Sequence, residues 1–473
     1  MSVRVRVGPS LRRPTTLGAL RMTLFNYAFA VANQGSFVVR IEDIDEKRSK
    51  PGLLDEMYDT LSWIGIEKFE SEQTGGDYGP YRQSHRLHLY ADRARELIDA
   101  GVAYRCFCSP ARLAGLRRRA PGRGYDGTCR RLDRGSVADL AEGGAPHVIR
   151  MRVPRDTGRA ALIPDRVYGD LRIPLDAVDD QILVKSDGFP TYHFSSVVDD
   201  HLMCITHVLR ANVWLVSTPK HILLYDWFGW TPPQFAHIPA MSGDLWSSTV
   251  QDFRLRGVVP DAVVNAVASL GWHDGRLSEV FTLREMTSVF TLAGLRRTCG
   301  AGDLRRLNWL AAQHLRRTSI EQAAMDVVPH LRGAGLPENN AAYRRQALKL
   351  CLPHCHTYAE IVERYGFLFA PPATRSADRH TLPFPATVMA ELFGSAAPRQ
   401  FAAENIARYL RSIADAHGVE LGRFLEVVRL AVSGVRSTPD TFAVLALLGR
   451  EECAARTSAW LAVYEEEPAH HGS

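Results

Sequence analysis

The chain has 473 residues, 46% of them apolar and 23% charged, and its 57 Lys and Arg against 52 Asp and Glu give a formal net charge of +5. This is the composition of a globular protein of roughly two to four domains at about 100 to 200 residues each, and it excludes collagen-like, disordered and disulfide-scaffold classes. No apolar run approaches the roughly 18 residues of a membrane-spanning helix, so no membrane partner is expected. The lysines are Lys47, Lys50, Lys68, Lys185, Lys220 and Lys349, which leaves 57 − 6 = 51 arginines and a long lysine-free interval after Lys220. The 8 cysteines are too sparse for a disulfide framework.

Residues 3 to 7 alternate like a strand, and Gly8, Pro9, Ser10 and Pro14 mark a turn. Leu20, Leu24, Ala28 and Val31 then share one face of a helix that Gly35 ends, and Phe37, Val38, Val39 and Ile41 make a second strand. Residues 3 to 41 therefore read as a β-α-β unit with parallel strands, and ligands of such sheets sit beyond the carboxyl ends of the strands. Arg4, Arg6, Arg12, Arg13 and Arg21 precede the first acidic residue, Glu42. That make-up suits an organelle transit peptide, but the strand and helix patterns predict a folded start with no removable leader.

Residues from about 96 to 185 break the rhythm with three cysteines, the basic run Arg117, Arg118 and Arg119, and Pro and Gly punctuation, as an insertion would. The rhythm resumes with strands at Gln181 to Lys185 and Cys204 to Leu209, the latter ending at Arg210. A helix follows, with Thr218 as N-cap and Pro219 as its first residue. From about 240 a transitional segment leads into a nearly all-helical stretch, where basic pairs such as Arg316 with Arg317 and Arg408 with Arg411 read as solvated helix faces. The group Cys351, His354, Cys355 and His356 reads as ordinary helix residues.

Five motifs occur in order: Arg6-Val7-Gly8-Pro9-Ser10, Arg40-Ile41-Glu42-Asp43-Ile44-Asp45, Tyr81-Arg82-Gln83-Ser84, Asp187-Gly188-Phe189-Pro190-Thr191-Tyr192-His193 and Val197-Val198-Asp199-Asp200-His201. With Val208-Leu209-Arg210 and Trp214-Leu215-Val216-Ser217-Thr218 they make the chain resemble glutamyl-tRNA synthetase over essentially its whole length, most closely the mitochondrial branch. The resemblance implies an α/β Rossmann-type catalytic domain with an inserted α/β domain, followed by an all-α anticodon-binding domain. Its division would be a catalytic first half (1–95), an inserted acceptor-end-binding domain (96–185), a catalytic second half (186–239), a stem-contact segment (240–310) and a helical anticodon-binding domain (311–473). It further implies ATP with Mg²⁺, L-glutamate, glutamate tRNA and possibly glutamine tRNA, and a mitochondrial matrix location. Glutamate would be bound by Arg6, Gly8, Ser10, Glu42, Tyr192 and Arg210, and ATP by Thr16, Gly18 and Trp214. A dicarboxylic amino acid needs cations for its carboxylates and an anion for its ammonium, roles that fall to Arg6 with Arg210 and to Glu42.

The chain departs from the family pattern at sharp places. Thr16 stands at the histidine of the first ATP signature, and Arg13 stands at its turn glycine, while Gly18 is kept. The family's Lys-x-Ser-Lys-Arg loop is missing after the strand Phe235-Ala236-His237-Ile238-Pro239, where Ala240-Met241-Ser242-Gly243-Asp244 leads straight into a helix-like stretch; Arg254 and Arg256 are the nearest cations. Val213 replaces a glutamate before Trp214. These losses set two readings side by side: an active ligase, or a catalytically silent tRNA-binding paralogue or truncated isoform lacking the loop. Cys106, Cys108 and Cys129 match three zinc ligands of some bacterial relatives, but Arg131 stands where the fourth is expected, and three thiolates beside an arginine do not close a structural zinc site, so zinc is not expected there and no residue is expected as a metal ligand.

Overall fold

The computed structural model describes residues 2–9, 11–44, 50–119, 124–155, 157–275, 277–372 and 382–466. Ser10 and Asp45 lie outside the described residues. The chain divides into two compact units, one of Met1–Asp252 with Val263–Arg306 and one of Phe253–Ala262 with Leu307–Ser473.

In the first unit, β1 (Arg4–Val7), α1 (Leu17–Ala32) and β2 (Ser36–Val39) form the expected unit, with β1 and β2 parallel and Val5 opposite Phe37. Helix α1 is buried nearly all round, because Leu24 and Ala28 pack on the sheet while Phe25 meets Phe290 with ring centroids 5.6 Å apart. Val31, expected on the buried face, is 42% exposed. A 16-residue helix spans about 24 Å and a four-residue strand only about 13 Å, so the last turn of α1 runs past the sheet.

The chain continues through α2 (Leu53–Trp63) and α3 (Leu87–Asp99) into β3 (Ala103–Cys106), α4 (Pro110–Arg119), α5 (Arg134–Glu142) and β4 (Val148–Met151). A hairpin follows, β5 (Ala160–Asp165) with β6 (Gly169–Pro174), then β7 (Ile182–Val184) and α6 (Tyr192–Leu202). Next come β8 (His207–Ala211), α7 (Thr218–Trp227) and β9 (Gln234–Ile238). Strands β3, β4 and β7 make an antiparallel sheet of their own. The β5–β6 hairpin, although it lies within the interrupted stretch, joins β9 through Asp165 opposite Phe235 and so extends the sheet β6-β5-β9-β8. Strands β8 and β9 are parallel, and β1 lies beside β8, where the Thr206 amide donates to the Arg4 carbonyl at 2.9 Å. The parallel order β2-β1-β8-β9 is the Rossmann-type arrangement expected.

Two local boundaries differ from the sequence reading. Strand β8 begins at His207, because residues 203–206 are used in ending α6: the Ile205 amide bonds back to the Asp200 carbonyl and Cys204 takes a positive φ of 54°. The N-cap of α7 is Ser217, one residue early, because a 3₁₀ turn over Asn212–Ser217 runs directly into the helix.

The rest of the chain is helical: α8 (Val250–Leu255), α9 (Pro260–Ser269), α10 (Leu283–Val289), α11 (Leu304–Arg317), α12 (Ile320–Asp326), α13 (Val328–Gly333), α14 (Ala341–Cys351), α15 (Tyr358–Tyr365), α16 (Ala386–Glu391), α17 (Ala403–Ala416), α18 (Leu421–Ser433), α19 (Thr441–Leu448) and α20 (Arg450–Glu466). The second unit holds a core around Phe424, Leu410, Ile406, Val428 and Leu445. Cys351 ends α14, and a 3₁₀ turn places His354 just before Cys355, while exposed His356 pairs with Glu360 at 2.9 Å.

Candidate active site at the carboxyl ends of the parallel strands

The predicted substrate residues gather where the strands β1, β2 and β8 end. Arg6 is the third residue of β1, Glu42 follows β2, Arg210 is near the end of β8 and Tyr192 opens α6. Gly8 leaves room for the Glu42 carboxylate, since a Cβ at this position would overlap it.

Arg6 and Arg210 are both buried cations, but their surroundings differ. Arg6 Nε and Nη2 bond to Asp200 at 3.0 and 3.2 Å, and the same carboxylate accepts from Arg40 Nη1 at 2.7 Å. Burial works against all three charges; the Arg6 and Arg40 cations nevertheless hold the Asp200 carboxyl below the usual range, and Asp200 keeps both guanidiniums above theirs. Arg40 also reaches Glu42 Oε1 at 3.1 Å, which fixes that carboxylate over Gly8. Arg6 is thus charge-compensated by the fold, and its Nη1 has no partner among the described residues.

Arg210, only 5% exposed, has neutral partners alone among the described residues. Its Nε donates to His237 Nε2 at 3.0 Å, Nη1 faces His221 Nδ1 at 3.3 Å, and Nη2 donates to Thr218 Oγ1 at 2.9 Å and to the Trp214 carbonyl at a long 3.5 Å. Burial lowers its pKa and Arg6 pushes in the same direction, while Tyr192 and Asp200 oppose them. Tyr192, half-buried, interacts electrostatically with both arginines. Asp200 favours the Arg210 charge at longer range without bonding to it, so a carboxylate that bonds the guanidinium directly offsets its burial further.

The imidazoles around Arg210 are neutral. Burial, helped by Arg210, pushes His221 far down, and burial with Lys220 and Arg210 brings His193 to about 4. His193 Nδ1 lies 3.2 Å from His221 Nε2.

The expected ATP residues are placed on the neighbouring α1 and on the 3₁₀ turn. Thr16 is the N-cap of α1, its hydroxyl accepting from the Ala19 amide at 3.3 Å, and half-buried Gly18 sits in the first turn. Trp214 is 36% exposed and its ring lies 4.5 Å from Tyr192, while Val213 beside it is 62% exposed. The segment after β9 crosses the start of α1 in an antiparallel bridge, Thr16 to Thr249: the Leu17 amide donates to the Ser248 carbonyl at 3.0 Å and the Val250 amide to the Thr15 carbonyl at 2.9 Å. A helix N-terminus is a natural phosphate site, and here backbone and hydroxyl groups of the chain itself take up part of it.

Several quoted motif residues form scaffolding. Asp199 accepts from Gln83 Nε2 at 2.8 Å, Arg86 Nε at 2.7 Å and the Tyr90 hydroxyl at 2.8 Å, and Asp43 accepts from the Ser84 hydroxyl at 2.7 Å and Arg82 Nη1 at 3.2 Å. Three of the motifs are therefore the two sides of buried polar networks.

Away from this site the sulfurs of Cys106, Cys108 and Cys129 lie within 4.8 Å of one another. The Tyr125 hydroxyl stands 3.5 Å from Cys106 Sγ and 3.4 Å from Cys108 Sγ. Arg131, which stands where the fourth ligand was expected, turns its guanidinium to the Asp126 carbonyl at 3.4 Å, and the nearby oxygen is that of Tyr125. Three sulfurs and one oxygen form a donor set of the size a tetrahedral zinc ion takes, so Arg131 does not by itself rule out such a site.

Comparison with known proteins decides the family. The family described as "tRNA synthetases class I (E and Q), catalytic domain" matches residues 2–309, and "Anticodon binding domain" matches residues 321–461. The chain belongs to the glutamate–tRNA ligase family. It is 38% identical to the glutamate–tRNA ligase of Thermus thermophilus, with 97% of this chain and 99% of the relative aligned. It is 34% identical to that of Treponema denticola, covering 96% and 98% of the two chains. Among solved structures, a glutamate tRNA ligase from Elizabethkingia meningosepticum, in complex with its amino acid, superposes with a TM-score of 0.88 at 29% identity over 99% of this chain and 100% of that one. The family is one of aminoacyl-tRNA ligases, and the Rossmann-type catalytic fold with a helical anticodon-binding domain is its fold.

Proposed function

We propose that this chain is a glutamate–tRNA ligase in which Arg210 receives the side-chain carboxylate of L-glutamate, Arg6 its α-carboxylate and Glu42 its ammonium, with Gly8, Ser10 and Tyr192 completing the pocket. The carrying observation is the buried Arg210 guanidinium, whose hydrogen-bond partners among the described residues are all neutral and which Asp200 reaches only at longer range, so that a carboxylate can pair with it directly and an amide cannot. An oxygen of the α-carboxylate attacks the α-phosphorus of ATP and pyrophosphate leaves. A hydroxyl of the terminal tRNA ribose then takes the glutamyl group and AMP leaves. ATP brings its Mg²⁺, held largely by phosphates and water, and Thr16, Gly18 and Trp214 lie along its side of the site.

Glutamate-dependent exchange of pyrophosphate into ATP, with glutamate tRNA present, tests this reading; exchange that vanishes in Arg210→Met supports it. One observation favours the silent-paralogue reading: the lysine-free segment after β9 is bonded across the start of α1, at Thr15 and Leu17. No exchange above background, with glutamate and tRNA still bound, selects that second reading. A mitochondrial matrix setting is part of the proposal on the sequence resemblance alone, the relatives compared being bacterial; import of the labelled chain into isolated mitochondria tests it.

A further inference from the structure

The Arg210 guanidinium is held by residues that a description of the glutamate pocket does not include. His237 lies on β9 and presents Nε2 to Arg210 Nε at 3.0 Å. Its other nitrogen, Nδ1, is 2.6 Å from Asp165 Oδ2, and both side chains have no exposed surface. Asp165 ends β5, so it comes from the hairpin inside the interrupted stretch of the chain and reaches β9 across 72 residues.

The donor and acceptor roles follow from Arg210 and Asp165, the Thr218 hydroxyl 3.1 Å from the same Nε2 being able to donate or accept. Arginine only donates, so His237 Nε2 must carry a lone pair; a carboxylate only accepts, so Nδ1 must carry the proton. The two oxygens of Asp165 divide their work. Oδ1 accepts from the Val167 and Tyr168 amides at 2.9 Å each and shapes the hairpin turn, whereas Oδ2 accepts from His237, through its backbone amide at 3.0 Å and its ring. A turn alone needs only the first oxygen. Burial works against the Asp165 charge, yet His237 and the turn amides keep its carboxyl below the ordinary range, and burial keeps His237 neutral.

We propose that Asp165 and His237 are positioning residues for amino-acid selection: the carboxylate fixes the imidazole tautomer, the imidazole fixes the plane of Arg210, and the fixed fork distinguishes a side-chain carboxylate from a carboxamide. The proposal rests on the reading of Arg210 given above. The opposite tautomer would set an N–H of His237 against the N–H of Arg210 and turn the guanidinium, and misplacing a binding fork by about 1 Å costs on the order of a hundredfold.

The test uses the full chain and equilibrium dialysis with labelled L-glutamate, L-glutamine and ATP, alongside ¹⁵N NMR of the histidine rings. In the unsubstituted protein the NMR spectrum is expected to show His237 protonated at Nδ1 alone at neutral pH. His237→Leu is expected to lower the ratio of glutamate to glutamine affinity by about tenfold or more, with ATP affinity changed by less than about twofold. His237→Gln, which restores an oxygen acceptor, is expected to recover most of that ratio. A proton on Nε2 in the NMR spectrum overturns the proposal without need of any variant. An unchanged ratio in His237→Leu, or an equal loss of all three ligands, overturns it as well. If Arg210→Met itself leaves the ratio unchanged, the reading of Arg210 fails and this inference falls with it, a result distinguishable from failure at His237 alone.

Discussion

Arg6 Nε stands 3.0 Å from Asp200 Oδ1, with side-chain exposures of 6% and 5%, so the cation expected to meet a substrate carboxylate already has a carboxylate of its own. Asp200 also holds Arg40. Asp200→Asn therefore leaves two buried guanidiniums short of charge and is expected to cost about 3–5 kcal/mol in urea unfolding. A loss below about 1 kcal/mol would contradict this account of the pair.

Arg210 is expected to behave in the opposite way. Its cation has no direct carboxylate partner among the described residues and is only partly offset by Asp200 at longer range, so Arg210→Met removes an unfavourable buried charge and leaves the thermal midpoint unchanged or raised. The same variant loses a charge-assisted contact to glutamate, about 100-fold in affinity by isothermal titration. A variant that unfolds easily yet binds glutamate normally would sink the assignment.

Acid is expected to weaken the fold through His193. The unfolded chain protonates this ring near the ordinary 6.5, whereas the folded chain does so only at about 4, because burial, Lys220 and Arg210 oppose the charge. The resulting stability is fully present above 6.5 and is lost as pH falls toward 4, up to about 3 kcal/mol. Between pH 7 and 5 the unfolding free energy of the unsubstituted chain should drop by about 2 kcal/mol more than that of His193→Gln. Parallel pH profiles would show that the imidazole is not held neutral.

The lysine-free segment makes a further prediction. Inserting Lys-x-Ser-Lys-Arg between Met241 and Ser242 restores mobile cations beside the start of α1. Single preorganised donors of this kind contribute about 100- to 1000-fold in rate, and pyrophosphate exchange is expected to rise by at least the lower figure. An unchanged rate would locate the limiting defect elsewhere, with Thr16→His as the next variant.

Sequence reading captured what is local. The β-α-β start follows from Val5, Leu24, Ala28 and Val38, whose spacing records which face is buried. The positions of Arg6, Gly8, Glu42, Tyr192 and Arg210 near one sheet edge followed from motif resemblance. What stayed hidden depends on distant partners. Asp165 lies 72 residues from His237, and nothing in the local pattern of β5 signals that its hairpin joins the sheet of Arg210. Likewise Asp200 was visible as part of a motif, but its pairing with Arg6 spans 194 residues. Cysteine spacing alone does not signal Tyr125, a phenol four residues before Cys129 whose hydroxyl reaches the sulfurs only through the fold. One signal was available: His237 is a histidine between the apolar Phe235, Ala236 and Ile238, and a buried imidazole needs partners on both nitrogens.

The most direct measurement is transfer of radiolabelled glutamate to glutamate tRNA by the full chain with ATP and Mg²⁺, run beside labelled glutamine and beside Arg210→Met. The expected result is charging with glutamate alone, lost in the variant. No charging above background, or charging with glutamine to the same extent, would contradict a glutamate–tRNA ligase whose selectivity rests on Arg210.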